Sequence, residues 1–142
     1  MSAVRIARVD SRALDVAIHL AAVDDAAMGA VATFIGTVRD HDPEATSSVV
    51  ALEYSAHPDA ERALRHIVEA AVGEREALVA VSHRVGRLTV GEPAVIIAVA
   101  TPHRAEAFDI CRTIIETIKK DLPVWKRQLA ADGTAEWKGI GG

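Results

Sequence analysis

Basic side chains gather at three places in this sequence where an apolar run ends. Arg39 follows "FIGTV", His103 and Arg104 follow "AVIIAVATP", and Lys119 and Lys126 flank the break in "IKKDLPVWKRQ". Arginine holds phosphate or carboxylate through parallel N–H bonds, while lysine supplies a mobile point charge. A strand end fixes a side chain rigidly, and a helix N-terminus turns free N–H groups toward an anion. The chemistry these places share is the binding of an anionic ligand. Each residue alone also has a plainer reading. Arg39 opens a solvated loop, His103 suits a helix cap, and Lys119 and Lys120 complement the dipole at a helix end. Trp125 serves equally as a core plug or as part of a site.

Those cations sit in a chain of net charge −4, so a basic site must be local, and a general nucleic-acid or membrane binder is not indicated. The one cysteine, Cys111, excludes an internal disulfide and a cysteine metal cluster. It lies between Ile110 and Ile114 on an apolar helical face and reads as a buried, inert thiol. Phosphate-loop, dinucleotide, zinc-protease and nucleophile-elbow signatures are lacking. His83 and Arg84 in "SHRVG" read as structural or interface residues. No metal and no cofactor is expected.

The elements that must carry these residues follow from patterning. At 142 residues, half of them apolar, the chain reads as one domain over 1–142 with a core of Ala, Val, Ile and Leu. Val4 to Val9 alternate as a strand, and Asp10 or Ser11 can cap a helix whose apolar face is Leu14, Ala17, Ile18 and Ala21. "GAVATFIGTVRD" is a buried strand ending near Arg39, "DHDPEATSS" (about 40–47) a flexible loop, and "VVALEYS" a strand. Pro58 opens a helix with Ala60, Ala63, Leu64, Ile67, Val68 and Ala71 on one face, stopped by Gly73. "ALVAVSHRVG" and "AVIIAVAT" are strands with "RLTVGEP" as a short strand and turn between them. A last helix runs from about Arg104 to Lys120, burying Ala107, Ile110, Cys111, Ile114, Ile115 and Ile118. Pro123 ends it, and Val124 to Trp137 supplies one or two short strands. The mixed order points to an α+β fold. No apolar run has the length of a signal peptide core or a membrane span, so a cytoplasmic protein is expected.

Read together, "GAVATFIGTVRDHD", "LEYSAHPDAERAL", "VSHRVGRLTVGEPAVIIAVATPHRAEAFDICRTIIETIKKDLPVWKRQ" and "DGTAEWKG" resemble the MoaE family, the large subunits of molybdopterin synthase. The resemblance runs in one register from about Gly29 to Gly139. It implies an α/β hammerhead-type fold with an additional small β subdomain. It implies a sulfurtransferase of molybdenum cofactor biosynthesis that converts cyclic pyranopterin monophosphate (precursor Z) to the molybdopterin dithiolene. Sulfur would come from a thiocarboxylate on the C-terminal Gly-Gly of a small ubiquitin-like MoaD-type subunit. The large subunits would form a homodimer with one small subunit at each outer end. Carried over by position, Lys119 and Lys126 are the catalytic residues. Thr37, Val38, Arg39, His103, Arg104, Arg127 and Gln128 match substrate-binding positions, with Gln128 standing where many members carry Glu.

The residues and the resemblance agree chemically. One buried cysteine is a poor sulfur carrier, so a partner must bring the sulfur. Substrate and partner tail are both anions, which an electropositive pocket would attract. Crowding by Lys126, Arg39 and Arg104 should lower the pKa of Lys119, fitting it to shuttle a proton or stabilise an oxyanion. Lys126 would hold the phosphate, Trp125 would wedge the turn beneath, and Lys120 would be a bystander. A mobile flap over the pocket is the role open to the 40–47 loop. Two other readings remain: a non-catalytic scaffold binding an anion or partner, and a phosphate-ester enzyme on the same pocket.

Overall fold

A computed structural model describes residues 3–41 and 47–141, and among these described residues are two four-stranded sheets and three helices. In chain order the elements are β1 (Val4–Asp10), α1 (Val16–Ala22), β2 (Ala30–Thr37), β3 (Val49–Ala56), α2 (Ala60–Val72) and β4 (Leu78–Arg84). They continue with β5 (Gly86–Thr89), β6 (Pro93–Thr101), α3 (Arg104–Asp121), β7 (Val124–Ala130) and β8 (Ala135–Gly139). The larger sheet has the order β1-β4-β6-β2 and the smaller β5-β3-β7-β8. Only β1 and β4 run parallel; the other neighbours are antiparallel. This is the mixed α/β fold that the patterning and the resemblance imply, with the smaller sheet as the added β layer.

The apolar runs of β4 and β6 make them the buried centre of the larger sheet. Both of their faces are covered. Val79, Val81, Ile97 and Val99 join the main core with Leu64 and Val68 of α2 and Ile110, Ile114 and Ile118 of α3. Each fully buried Leu or Ile contributes about 1.5–3 kcal/mol, so this layer dominates stability. Ala80, Ala98 and Ala100 face the other way, where small side chains pack with Val23 beneath α1. The main core continues through Leu88, Tyr54, Val124 and Ile140 into the smaller sheet, which couples the site-bearing strands to the scaffold.

The first helix departs from expectation. Asp15, not Asp10 or Ser11, caps α1, its side chain accepting from Ala17 N–H at 2.8 Å. Asp10 is occupied instead by Arg12, which donates to it from its backbone and guanidinium. The inward residue is His19, which bonds the Ser82 hydroxyl at 2.7 Å and the Asp15 carbonyl at 2.7 Å. Ile18 is 54% exposed, so the predicted apolar face is wrong by about one residue in phase. No helix among the described residues is long and apolar enough to cross a membrane.

Candidate active site

Helix α3 places the first cation of the site. Its buried positions are Ala107, Ile110, Cys111, Ile114, Ile115 and Ile118, as the periodicity predicts. Lys119 follows Ile118 and is partly buried in the last turn. Pro123 has no N–H and disfavours a helical residue before it, so Leu122 is extended and the chain turns into β7. Gly141 supports this end of the helix from outside. A Cβ at Gly141 would stand 2.9 Å from the Lys119 carbonyl oxygen, so only glycine allows that approach.

Alternation along β7 sorts the next residues. Lys126 pairs in register with Tyr54 of β3, and Gln128 with Leu52, on one side of the smaller sheet. These residues, with Thr37, Arg39, His41, Val49 and Lys119, line a cavity of about 410 Å³. Burial, then the charges of Lys126 and Arg39, hold the Lys119 pKa below the ordinary lysine value. Beneath them lies His83, only 4% exposed, its ring edge against Tyr54 with centroids 5.1 Å apart. Its Nδ1 faces the Arg84 carbonyl at 2.9 Å. Burial depresses its pKa to about 4, so a neutral imidazole underlies the cations at neutral pH. Burial raises Tyr54 to about 12, which keeps its hydroxyl protonated. The cavity is therefore electropositive, with one lysine biased toward its neutral form.

The relatives agree on what such a chain is. A family model described as MoaE protein matches residues 9–121. The chain belongs to the MoaE family. It is 41% identical over 134 residues to molybdopterin synthase catalytic subunit 1 of Mycobacterium tuberculosis, covering 93% of this chain and 89% of that one. The crystal structure of molybdopterin synthase from Staphylococcus aureus superposes with a TM-score of 0.85 at 29% identity, covering 92% of this chain and 95% of that one. A Helicobacter pylori complex of subunits 1 and 2 of molybdopterin-converting factor shares the fold, with a TM-score of 0.71 at 20% identity over 96% of this chain and 90% of that one.

Against this MoaE framework, the expected site residues divide into two groups. Thr37, Arg39, Lys119, Lys126 and Gln128 meet at the cavity. Val38 is 2% exposed and is not among the residues that line the cavity. Arg127 points to the opposite side of the sheet, where it donates to Glu53 at 3.1 Å and lies 5.7 Å from the centre of the Trp137 ring. Strand parity forces this: neighbours of Lys126 must face away from it. Trp125 shares that reverse side and is 48% exposed, so it is no buried wedge. His103 and Arg104 are exposed at the start of α3. Arg104 and Lys119 are fifteen residues apart on that helix, about 22 Å at 1.5 Å per residue. One chain does not bring the His103–Arg104 pair to the lysine cavity.

The proposed flap over 40–47 lies outside the described residues from 42 to 46; His41, just before them, lines the cavity. Sequence reasoning missed Tyr54, His41 and the support from His83 and Gly141. The alternation in "LEYS" places Leu52 and Tyr54 on one face, but only the β3–β7 register reveals that this face is the one carrying Lys126.

Proposed function

We propose that this chain is the catalytic subunit of a molybdopterin synthase, acting in the cytoplasm as a sulfurtransferase. It moves sulfur from the C-terminal thiocarboxylate of a small ubiquitin-like subunit to cyclic pyranopterin monophosphate, forming the molybdopterin dithiolene. The observation that carries the reading is the crowded, half-buried Lys119 facing Lys126 and Arg39 in one cavity. Similar proteins support it: the Mycobacterium tuberculosis relative is a molybdopterin synthase catalytic subunit, and the Helicobacter pylori structure of the same fold is a two-subunit complex.

Both reactants bring negative charge to the cavity, as phosphate and as thiocarboxylate. Arg39 and Lys126 bind and orient the phosphate. Lys119, with its depressed pKa, is poised to exchange a proton with the reacting groups, or as the ammonium to stabilise the oxyanion that forms when water adds to the acyl carbon of the donor–pterin thioester, before the C–S bond breaks and the donor leaves as a carboxylate. Tyr54 and Gln128 add neutral hydrogen-bonding groups to the wall. The chain's own thiol takes no part: Cys111 is buried on α3, and burial raises its pKa to about 11.

His103 and Arg104 join the site through a second copy of the chain. An isologous two-fold that sets the two α3 helices antiparallel brings the start of one to the end of the other. Phe108, 67% exposed and one turn beyond Arg104, supplies an apolar side chain for that contact. The homodimer thus completes each cavity with the partner's two basic residues.

The reading is tested by incubating the purified chain with thiocarboxylated small subunit and precursor Z. Dithiolene formation is the expected outcome. Binding without product would favour an inert scaffold, and release of phosphate without sulfur incorporation a phosphate-ester enzyme.

A further inference from the structure

Arg39 stands where its own strand has lost its partner. The pairing of β2 with β6 slips between Gly36 and Thr37, and Thr37 falls opposite Pro93, which has no N–H to give. Beyond that point the chain is held by a different element, the turn from Thr89 to Glu92 that joins β5 to β6. Val38 N–H donates to the Glu92 carbonyl at 3.0 Å, and Gly91 N–H donates to the Val38 carbonyl at 2.8 Å. Both backbone groups of the residue preceding Arg39 are thus fixed by two adjacent residues of one turn.

The turn is itself locked by a carboxylate. One oxygen of Glu92 accepts from Thr89 N–H and from the Thr89 hydroxyl, both at 2.8 Å. The other accepts from Arg84 at 2.7 Å. Arg84 in turn reaches the Ser11 carbonyl at 3.3 Å, which ties the turn to the ends of β4 and β1. Glu92 N–H closes the turn on the Thr89 carbonyl at 3.1 Å, and Gly91 has φ +90°, a conformation that suits glycine. A side chain that faces no substrate here determines where a substrate-facing strand end lies.

We propose that Glu92 is a positioning residue for Arg39, acting through the Thr89–Glu92 turn and the backbone of Val38. This rests on the functional reading above, in which Arg39 holds the substrate's phosphate. Loss of the Glu92 carboxylate frees the turn, and Arg39 then samples orientations that no longer meet the phosphate. The cost falls mainly on substrate affinity, because Lys119 and Lys126 are carried by α3 and β7 and stay in place; the effect on the chemical step, through the Arg39 charge near Lys119, is smaller.

The test is a double-mutant cycle in the complete synthase, with thiocarboxylated partner and precursor Z, across wild type, Arg39→Ala, Glu92→Ala and the double variant. Arg39→Ala and Glu92→Ala should each raise KM for the pterin phosphate about tenfold, the worth of one charge-assisted hydrogen bond, with a smaller effect on kcat through the Arg39 charge that helps depress the Lys119 pKa. The double variant should be no worse than Arg39→Ala alone. Glu92→Gln, which keeps the size and an acceptor for Thr89 but loses the charge toward Arg84, should fall between wild type and Glu92→Ala; it carries the test if the alanine variant does not fold. Unchanged KM in the Glu92 variants, or losses that add in full to that of Arg39→Ala, would overturn the inference. Wild-type KM in Arg39→Ala itself would contradict the functional reading as well.

Discussion

The two ends of α3 carry the same kind of residue and meet opposite surroundings. At the start, His103 and Arg104 are exposed. At the end, Lys119 is partly buried, its pKa lowered by burial and by Lys126 and Arg39. Both ends bear motifs that read as substrate contacts, yet a rigid helix holds them about 22 Å apart. The difference teaches that order along the chain is no guide to assembly in space. The crowded end has the partly buried, like-charged setting that shifts a lysine pKa, whereas the exposed end has no such setting within its own chain.

The comparison sharpens into a kinetic contrast. Replacing Lys119 by Ala should lower turnover at least about a hundredfold, the usual loss when a proton-transfer or charge-stabilising group is removed. Partner binding should persist, as pull-down of the small subunit would show. Arg104→Ala should act mainly on KM, about tenfold, because it removes a binding contact and leaves the reacting lysine in place. Equal losses of kcat in the two variants would erase the distinction between the ends.

Protonation offers a second contrast. The unfolded chain titrates its lysines near 10.4, while folded Lys119 titrates lower. Between those two values the unfolded state binds more protons at this site, so its contribution to stability must rise with pH across that window. Cys111 and Tyr54, both raised by burial, act in the opposite sense in this range, so the effect is read as a difference: in urea unfolding, the stability of wild type relative to Lys119→Met should rise with pH up to about 10.4. Arg104→Ala should leave the slope intact.

The smallest effect is expected on the reverse side of β7. Arg127→Ala breaks a part-exposed ion pair with Glu53 and a contact with Trp137, costing about 1 kcal/mol or less, with turnover near that of wild type. A thermal melt and a rate measurement would check both. A large loss of activity would mean that substrate or donor reaches that side of the sheet.

Much of the scaffold was legible because its signals are local. The apolar runs of β4 and β6, the face of α2 and the six inward residues of α3 fall where periodicity puts them. The misreadings arose where two local options competed. Asp10 and Asp15 are both plausible caps, and the choice was made by Arg12, which occupies Asp10. Trp125 and Lys126 had to face opposite ways, and only packing of Val124 into the core decided which way was in. The site was half legible. Lys119, Lys126 and Arg39 stand out as basic residues at element ends, but Tyr54 becomes a wall residue only through a cross-strand register set by tertiary structure. That His103 and Arg104 stand apart from the lysines follows from helix length, which the sequence contains, and from their need for one ligand, which it does not.

The most direct test mixes two defective chains. Lys119→Ala and Arg104→Ala proteins, each assayed alone at substrate well below KM, are combined in equal amounts and allowed to exchange subunits. If each cavity takes its lysine from one chain and its arginine from the other, half of the dimers are mixed and each has one intact cavity. Activity should then return to about a quarter of the wild-type rate. If Arg104 serves the cavity of its own chain, no mixed dimer has an intact cavity, and the activity of the mixture will not exceed the average of its two components.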